Sequence, residues 1–321
     1  MYIPDPIMEE YKIGSKPVFV VRDDLAAPFP GPNFSKIRGL YQHLLKAKEQ
    51  GVREVVSQDT SISRCGWGCS WVCAELDLTH YNVYAQRKEM NFYQRMSEAW
   101  GGQMVPVRGS FSSAMVAQAR KILPSDAYWI PSGLSVPETL HEHKALMRGL
   151  KTWLGGSVVV SVSSGTICAG LLTGVNGAIV YGIQSSSIRN RLGKIASKVL
   201  DAGLCGQGQL SLVDMGWEYK ESVPDAPPFP CDIYLDRKAW RWLEENIGVL
   251  KEPVVFWNIG GEWSPVKGLV HGLRGDGQVT SSQLEEWYNG RQKPKGNTCI
   301  QENGPATSGR NRETQERISA N

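Results

Sequence analysis

Two short stretches carry residue types that could do chemistry. The first is Ser161 to Gly170, SVSSGTICAG, which follows the apolar run Val158, Val159, Val160 and leads into a helix-like segment beginning near Ile167. A buried strand, small residues and then a helix can cradle an anion, because backbone N–H groups face it and the helix start favours negative charge. Thr166 adds a hydroxyl. No Lys follows a Gly here and there is no GxGxxG, so the loop is neither of those nucleotide-binding types. The plain alternative is a tight strand-to-helix turn. The second stretch surrounds Lys36. Ser35 can cap a helix in which Ile37, Leu40, Tyr41, Leu44 and Leu45 recur at helical spacing until Gly51, which puts Lys36 in its first turn. A cation there opposes the helix dipole, which lowers the amine's pKa and favours the neutral nucleophile; the plain alternative is a solvated surface lysine.

Cys65, Cys69 and Cys73 recur every four residues, on one helix face, where thiolates could hold zinc or iron and sulfur. No fourth ligand stands at a customary spacing and structural zinc loops are shorter. The three therefore read as small buried hydrophobes, and no metal is expected. Between them, SRCGWGCSW brings Arg64, a good partner for a carboxylate or phosphate, beside Trp67 and Trp71, whose faces could stack on a flat group or pack in the core. His141 and His143, at i, i+2, point to different helix faces and are expected on the surface.

The elements that must position these residues alternate. Of the 321 residues, 41% are hydrophobic and 21% charged, a globular composition long enough for two domains, and the net charge of +3 neither demands nor excludes an anionic partner. No basic-then-apolar signal opens the chain and no uninterrupted apolar run is long enough for a membrane span, so a cytoplasmic enzyme is expected. Strands are expected at Pro17–Asp24, Val52–Ser57, Asn82–Gln86, Met104–Arg108, Ala127–Pro131, around Val158, at Gly177–Gln184 and at Pro253–Trp257. Helices fall between them, including Gly68–Leu76, Asn91–Trp100, Ser112–Ile122, Pro137–Leu154, Arg189–Ala202 and Leu235–Ile247. Such alternation argues for an α/β fold, parallel sheets with helices on their faces. Beyond Pro265, Gly, Ser, Asn, Gln and Thr dominate and the basic residues outnumber the late acids, so the tail reads as disordered, with a weak electrostatic case for nucleic acid.

In order along the chain, Arg22, Asp23, Asp24, Leu25, a Pro-rich loop, and then Phe34, Ser35, Lys36, Ile37, Arg38, Gly39 resemble the opening signature of the pyridoxal-phosphate-dependent tryptophan synthase β-like family, fold type II. Thr60 to Leu78 resembles its substrate-facing loop and helix, and Ser163 to Gly170 its phosphate loop. Ile233, Tyr234, Lys238, Ala239 and then Val254 to Gly261 are similar to segments of the aminocyclopropane-carboxylate deaminase and D-cysteine desulfhydrase branch, with threonine synthase also near in style. The likeness covers residues 15 to 262. It departs where the family's ring-contacting Asn and the next His fall at Arg64 and Cys65, and where the Thr facing the pyridine nitrogen falls at Ile259, leaving Asn258 or a residue elsewhere to serve.

The resemblance implies two three-layer α/β/α domains with mostly parallel sheets. Residues 1–45 and 155–262 would form the larger, cofactor-binding one, 46–154 the smaller, substrate-facing one, and 263–321 the tail. It implies that Lys36 holds pyridoxal 5'-phosphate as a Schiff base, that Ser163, Ser164, Gly165 and Thr166 hold its phosphate, and that Thr60, Ser61, Ser63 and Arg64 meet the substrate. The expected function is that of a lyase or transferase acting at the α carbon of an amino-acid-like substrate by elimination, replacement, deamination or decarboxylation, in a homodimer. Should Arg64 and the tryptophans face the site, the substrate would be an amino-acid group on a nucleotide or modified DNA base. A relative that kept the fold without the catalysis is the remaining alternative.

Overall fold

A computed structural model describes residues 3–28, 30–109, 112–150, 155–186, 191–201, 208–261, 269–271 and 278–280. The chain runs β1 (Ile7–Ile13), β2 (Lys16–Arg22), α1 (Ile37–Glu49), β3 (Glu54–Gln58), α2 (Cys65–Glu75) and β4 (Thr79–Ala85). It continues through α3 (Phe92–Ala99), β5 (Gln103–Val107), α4 (Ser112–Ala119), β6 (Tyr128–Trp129) and α5 (Pro137–Gly149). Then come β7 (Ser157–Val162), α6 (Thr166–Gly174), β8 (Ile179–Gln184), α7 (Arg191–Asp201), β9 (Gln209–Asp214), α8 (Asp236–Asn246) and β10 (Val254–Asn258). A ribbon of β11 (Leu269–His271) and β12 (Gln278–Thr280) is all that is described of the tail expected to be disordered.

Strands buried on both faces must lie inside a sheet covered by helices, and SVVVSV of β7 and VVFWN of β10 are buried at every position. They are the centre of a six-stranded sheet, β1-β2-β10-β7-β8-β9, parallel except for the antiparallel β1–β2 edge. A second, wholly parallel sheet has the order β5-β4-β3-β6. One continuous core joins Val158 and Val160 of the first sheet to Val55 of the second through Ile37, Leu40 and Leu44 of α1 and the three thiols of α2. The opposite faces carry their own cores: Trp240, Trp242 and Leu243 of α8 with Phe256, and Met115 and Ala119 of α4 with Val83. Both sheets are thus sandwiched between helices.

Close helix packing fixes the frame. α5 crosses α1 and α6 so tightly that a Cβ on Gly39 would stand 2.2 Å from the Thr139 backbone nitrogen, and one on Gly170 would stand 2.8 Å from His143 Cβ. Beneath this crossing Asp23, fully buried, accepts from Arg38 of α1 (2.7 Å), His143 of α5 (3.0 Å) and Trp257 of β10 (3.0 Å). Its neighbour Asp24 takes both arms of Arg22 at 2.9 Å. Burial alone would raise the Asp23 carboxyl, yet His143 and Arg38 pull it down to about 2.

Several expectations are corrected. β1 and β9 were not anticipated, because both are edge strands with polar or exposed positions that carry little apolar pattern. His143 is buried, not on the surface, since Asp23 lies 120 positions away in sequence and supplies its partner. Ser35 does not cap α1: Lys36 itself is the cap residue and the Ser35 hydroxyl, fully buried, makes no hydrogen bond. Among the described residues no helix is long and apolar enough to cross a membrane, and no group of three or more His, Cys, Asp or Glu is placed to hold a metal.

Candidate active site

In an open parallel sheet, adjacent strands whose following connections run to opposite sides leave a crevice at their carboxyl ends. β7 and β10 are neighbours in the six-stranded sheet, and β3 and β6 are neighbours in the four-stranded sheet. The loops after all four strands meet around one cavity of about 720 Å³. Its walls include Ser163 to Cys168 after β7, Ile259 and Gly260 after β10, Thr60 to Cys65 after β3 with Ser61 excepted, and Ser132 and Gly133 after β6.

Lys36 enters this cavity because the start of α1 is fastened to the end of β10. Ser35 N donates to Ile259 O at 3.0 Å, and Phe34 bridges Gly260. The amine, 9% exposed, donates to Ser164 Oγ at 2.9 Å and to Gly133 O at 2.5 Å. Burial drags it down to about 8, with the Lys198 ammonium pushing the same way and Cys65 opposing. The cradle is built as its residue types require. Gly165 has φ +82°, and a Cβ on it would meet Ile195 Cγ1 at 2.7 Å. Thr166 opens α6, its hydroxyl 3.0 Å from Ser164 Oγ and 2.8 Å from Ser135 Oγ. Hydroxyls, a helix start and an amine, with no carboxylate among them, form a donor set for an anionic group carrying an electrophile.

The other expected residues divide. Thr60, Ser63 and Arg64 line the cavity; Ser61 does not, its carbonyl accepting from Asn91 Nδ2 at 2.8 Å. Asp59, raised to about 6 chiefly by burial, receives Thr60 N at 3.0 Å and shapes this loop. Ser63 Oγ accepts from Cys65 N at 3.0 Å at the start of α2. Arg64 is matched by Asp232 at 2.7 Å and also donates to Asn33 O and Gly261 O. Asn258 is fully buried outside the cavity wall, donating to Pro230 O at 2.9 Å. Trp67 packs edge-on to Phe92 and Trp71 edge-on to Trp100, away from the wall.

Sequence reasoning missed several wall residues, among them two acids and two aromatics. Asp236 accepts from Ser161 Oγ at 2.5 Å and Gly260 N at 3.0 Å, and burial, then Asp232, raises it to about 7. Asp232 accepts from the amides of Tyr234 and Leu235, just before α8. An acid before a helix and another in its first turn are readable capping signals, and they could have directed attention to this pair. Trp217 and Tyr219 sit on a loop with no periodic pattern. Lys238 holds that loop, donating to Glu218 O at 2.7 Å and Ser185 O at 2.8 Å.

A buried, partly neutral lysine at an anion cradle, where the carboxyl ends of two parallel sheets converge, defines an α/β enzyme that uses an aldehyde-bearing phosphate cofactor. No protein-family model matches the chain. It is 30% identical over 282 residues, 81% of this chain and 100% of the relative, to glycyl-dTMP PLP-dependent decarboxylase of Pseudomonas phage M6. Among solved structures, an ACC deaminase homologue superposes with a TM-score of 0.70 at 20% identity, covering 81% of this chain and 90% of that one. An O-acetyl serine sulfhydrylase isoform from Entamoeba histolytica superposes with a TM-score of 0.59 at 12% identity, covering 90% and 94%. The chain belongs to the pyridoxal-phosphate-dependent enzymes of fold type II, the tryptophan synthase β-like family. Pyridoxal phosphate is its cofactor, and its chemistry is that of a lyase or transferase on an amino-acid-like substrate.

Proposed function

We propose that this enzyme decarboxylates an amino-acid group carried on a pyrimidine nucleotide, with pyridoxal phosphate bound through Lys36. The observation that carries the reading is the likeness, over the whole length of the relative and 81% of this chain, to the phage decarboxylase, whose name specifies a glycyl group on dTMP. The bound cofactor supplies an electron sink for the negative charge developing at the substrate α carbon. Lys36, its amine lowered to about 8 by burial, would hold the aldehyde and be placed to deliver a proton to the α carbon from Nζ. Ser163, Ser164, Gly165 and Thr166 would hold the cofactor's phosphate, and Asp236, which lines the cavity where Asn258 does not, would serve the ring nitrogen.

The choice of bond follows from charge. Among the described wall residues the cations are Lys36 and Arg64, and the charge of Arg64 is answered by Asp232. A substrate carboxylate beside Thr60 and Ser63 therefore meets hydroxyls without a free cation, which leaves it weakly held and ready to depart as carbon dioxide. Trp217 and Tyr219, on the cavity wall, offer flat faces for a base. Buried, unpaired cysteines suit the reducing cytoplasm, and the homodimer implied by the resemblance is open to sedimentation.

The test is carbon dioxide release from glycyl-dTMP and from free glycine by the cofactor-loaded protein. Turnover confined to the nucleotide-linked substrate supports the reading. Turnover of free glycine with the nucleotide inert would overturn it.

A further inference from the structure

A second lysine stands beside the cradle. Lys198 of α7 donates to Ser135 Oγ, and Ser135 Oγ is 2.8 Å from Thr166 Oγ1. Thr166 Oγ1 in turn is 3.0 Å from Ser164 Oγ, which accepts from Lys36 at 2.9 Å. Two ammonium groups are thus joined through three hydroxyls on the loops that form the cradle. Among the described residues neither lysine forms an ion pair with a carboxylate; Asp201 acts on Lys198 only at longer range. α7 is seated here by Ile195, fully buried against Gly165, and Lys198 follows three positions later on the same helix face.

Like charges brought together under partial burial are costly unless an anion joins them. Lys36 is committed to the cofactor's aldehyde, so it is not the cation that answers the phosphate. We propose that Lys198 is a ligand of the cofactor phosphate, supplying the full positive charge that the hydroxyls and amides of Ser164, Gly165 and Thr166 lack. Ser135 is then the relay that positions the ammonium against Thr166. The inference rests on the cofactor assignment and is independent of the substrate reading.

The test compares two ligands that differ only in the phosphate. Dissociation constants for pyridoxal phosphate and for pyridoxal are measured by visible absorption on wild type, Lys198→Gln and Lys198→Arg, with the far-ultraviolet dichroism and melting temperature of each unliganded protein recorded. Loss of a charge-assisted hydrogen bond predicts that Lys198→Gln weakens pyridoxal phosphate about tenfold to a hundredfold and leaves pyridoxal within about twofold. Lys198→Arg retains most of the affinity. Equal weakening of both ligands, or of neither, overturns the proposal. So does a Lys198→Gln protein that keeps its cofactor affinity but loses discrimination between dTMP and thymidine as competitors, because the cation would then belong to the substrate phosphate.

Discussion

An amine attacks a carbonyl only when neutral, and at Lys36 burial, assisted by the Lys198 ammonium, meets that requirement. Capture of pyridoxal phosphate by the unliganded protein is therefore expected to quicken with rising pH and to reach half its maximum near pH 8, not near the 10.5 of a free lysine, in stopped-flow absorbance. Lys36→Ala is expected to show no visible band with the cofactor. Asp236 works in the opposite direction. Its carboxyl, raised to about 7, is partly protonated at neutral pH, and a cationic ring nitrogen would ionise it. Asp236→Asn should lower kcat by tenfold or more with a smaller change in cofactor affinity, read by steady-state kinetics beside absorption titration. Both proposed roles depend on the residues' surroundings. Lys36 was legible because small and apolar residues flank it in a recognisable order, whereas nothing local in CDIYLDRK marks Asp236 as facing Ser161, 75 positions away.

At the scale of elements, what matters is how near one backbone can come to another. A Cβ at Gly165 needs both a left-handed φ and the space held by Ile195, so Gly165→Ala should cost about 1–3 kcal/mol and weaken cofactor binding. At Gly39 the obstacle is main chain, which cannot swing aside. Gly39→Ala is expected to lower the melting temperature by several degrees with the cavity residues untouched. The alternation of strands and helices was visible in the sequence because buried parallel strands such as VVFWN are apolar throughout. Edge strands β1 and β9 were not, since a strand paired on one side tolerates polar residues, and IMEEYKI has no buried position at all. The Ser35 cap failed because α1 begins one residue later, with Lys36 at the cap position.

For the molecule as a whole, the Asp23 cluster is the joint between α1, α5 and β10. Its carboxyl is held below the unfolded value, 3.8 falling to about 2, so its stabilising effect is complete above pH 4 and disappears as the pH falls through 2. That contribution is about 2 kcal/mol at neutral pH. Removing the carboxylate leaves Arg38 and His143 buried without their partner, and Asp23→Ala should destabilise the fold by about 3–5 kcal/mol in urea titrations. The shared core running from Val160 to Val55 predicts one cooperative transition, with fluorescence and dichroism coinciding.

The Lys238 tether has an evolutionary consequence. It grips the Trp217–Tyr219 loop through the carbonyl of Glu218, a main-chain atom that every amino acid possesses. Mutation can therefore change the side chains facing the cavity without releasing the loop that carries them. A lineage could exchange one flat substrate group for another by altering Trp217 and Tyr219 alone, while the anchoring lysine and the cofactor cradle stayed as they were.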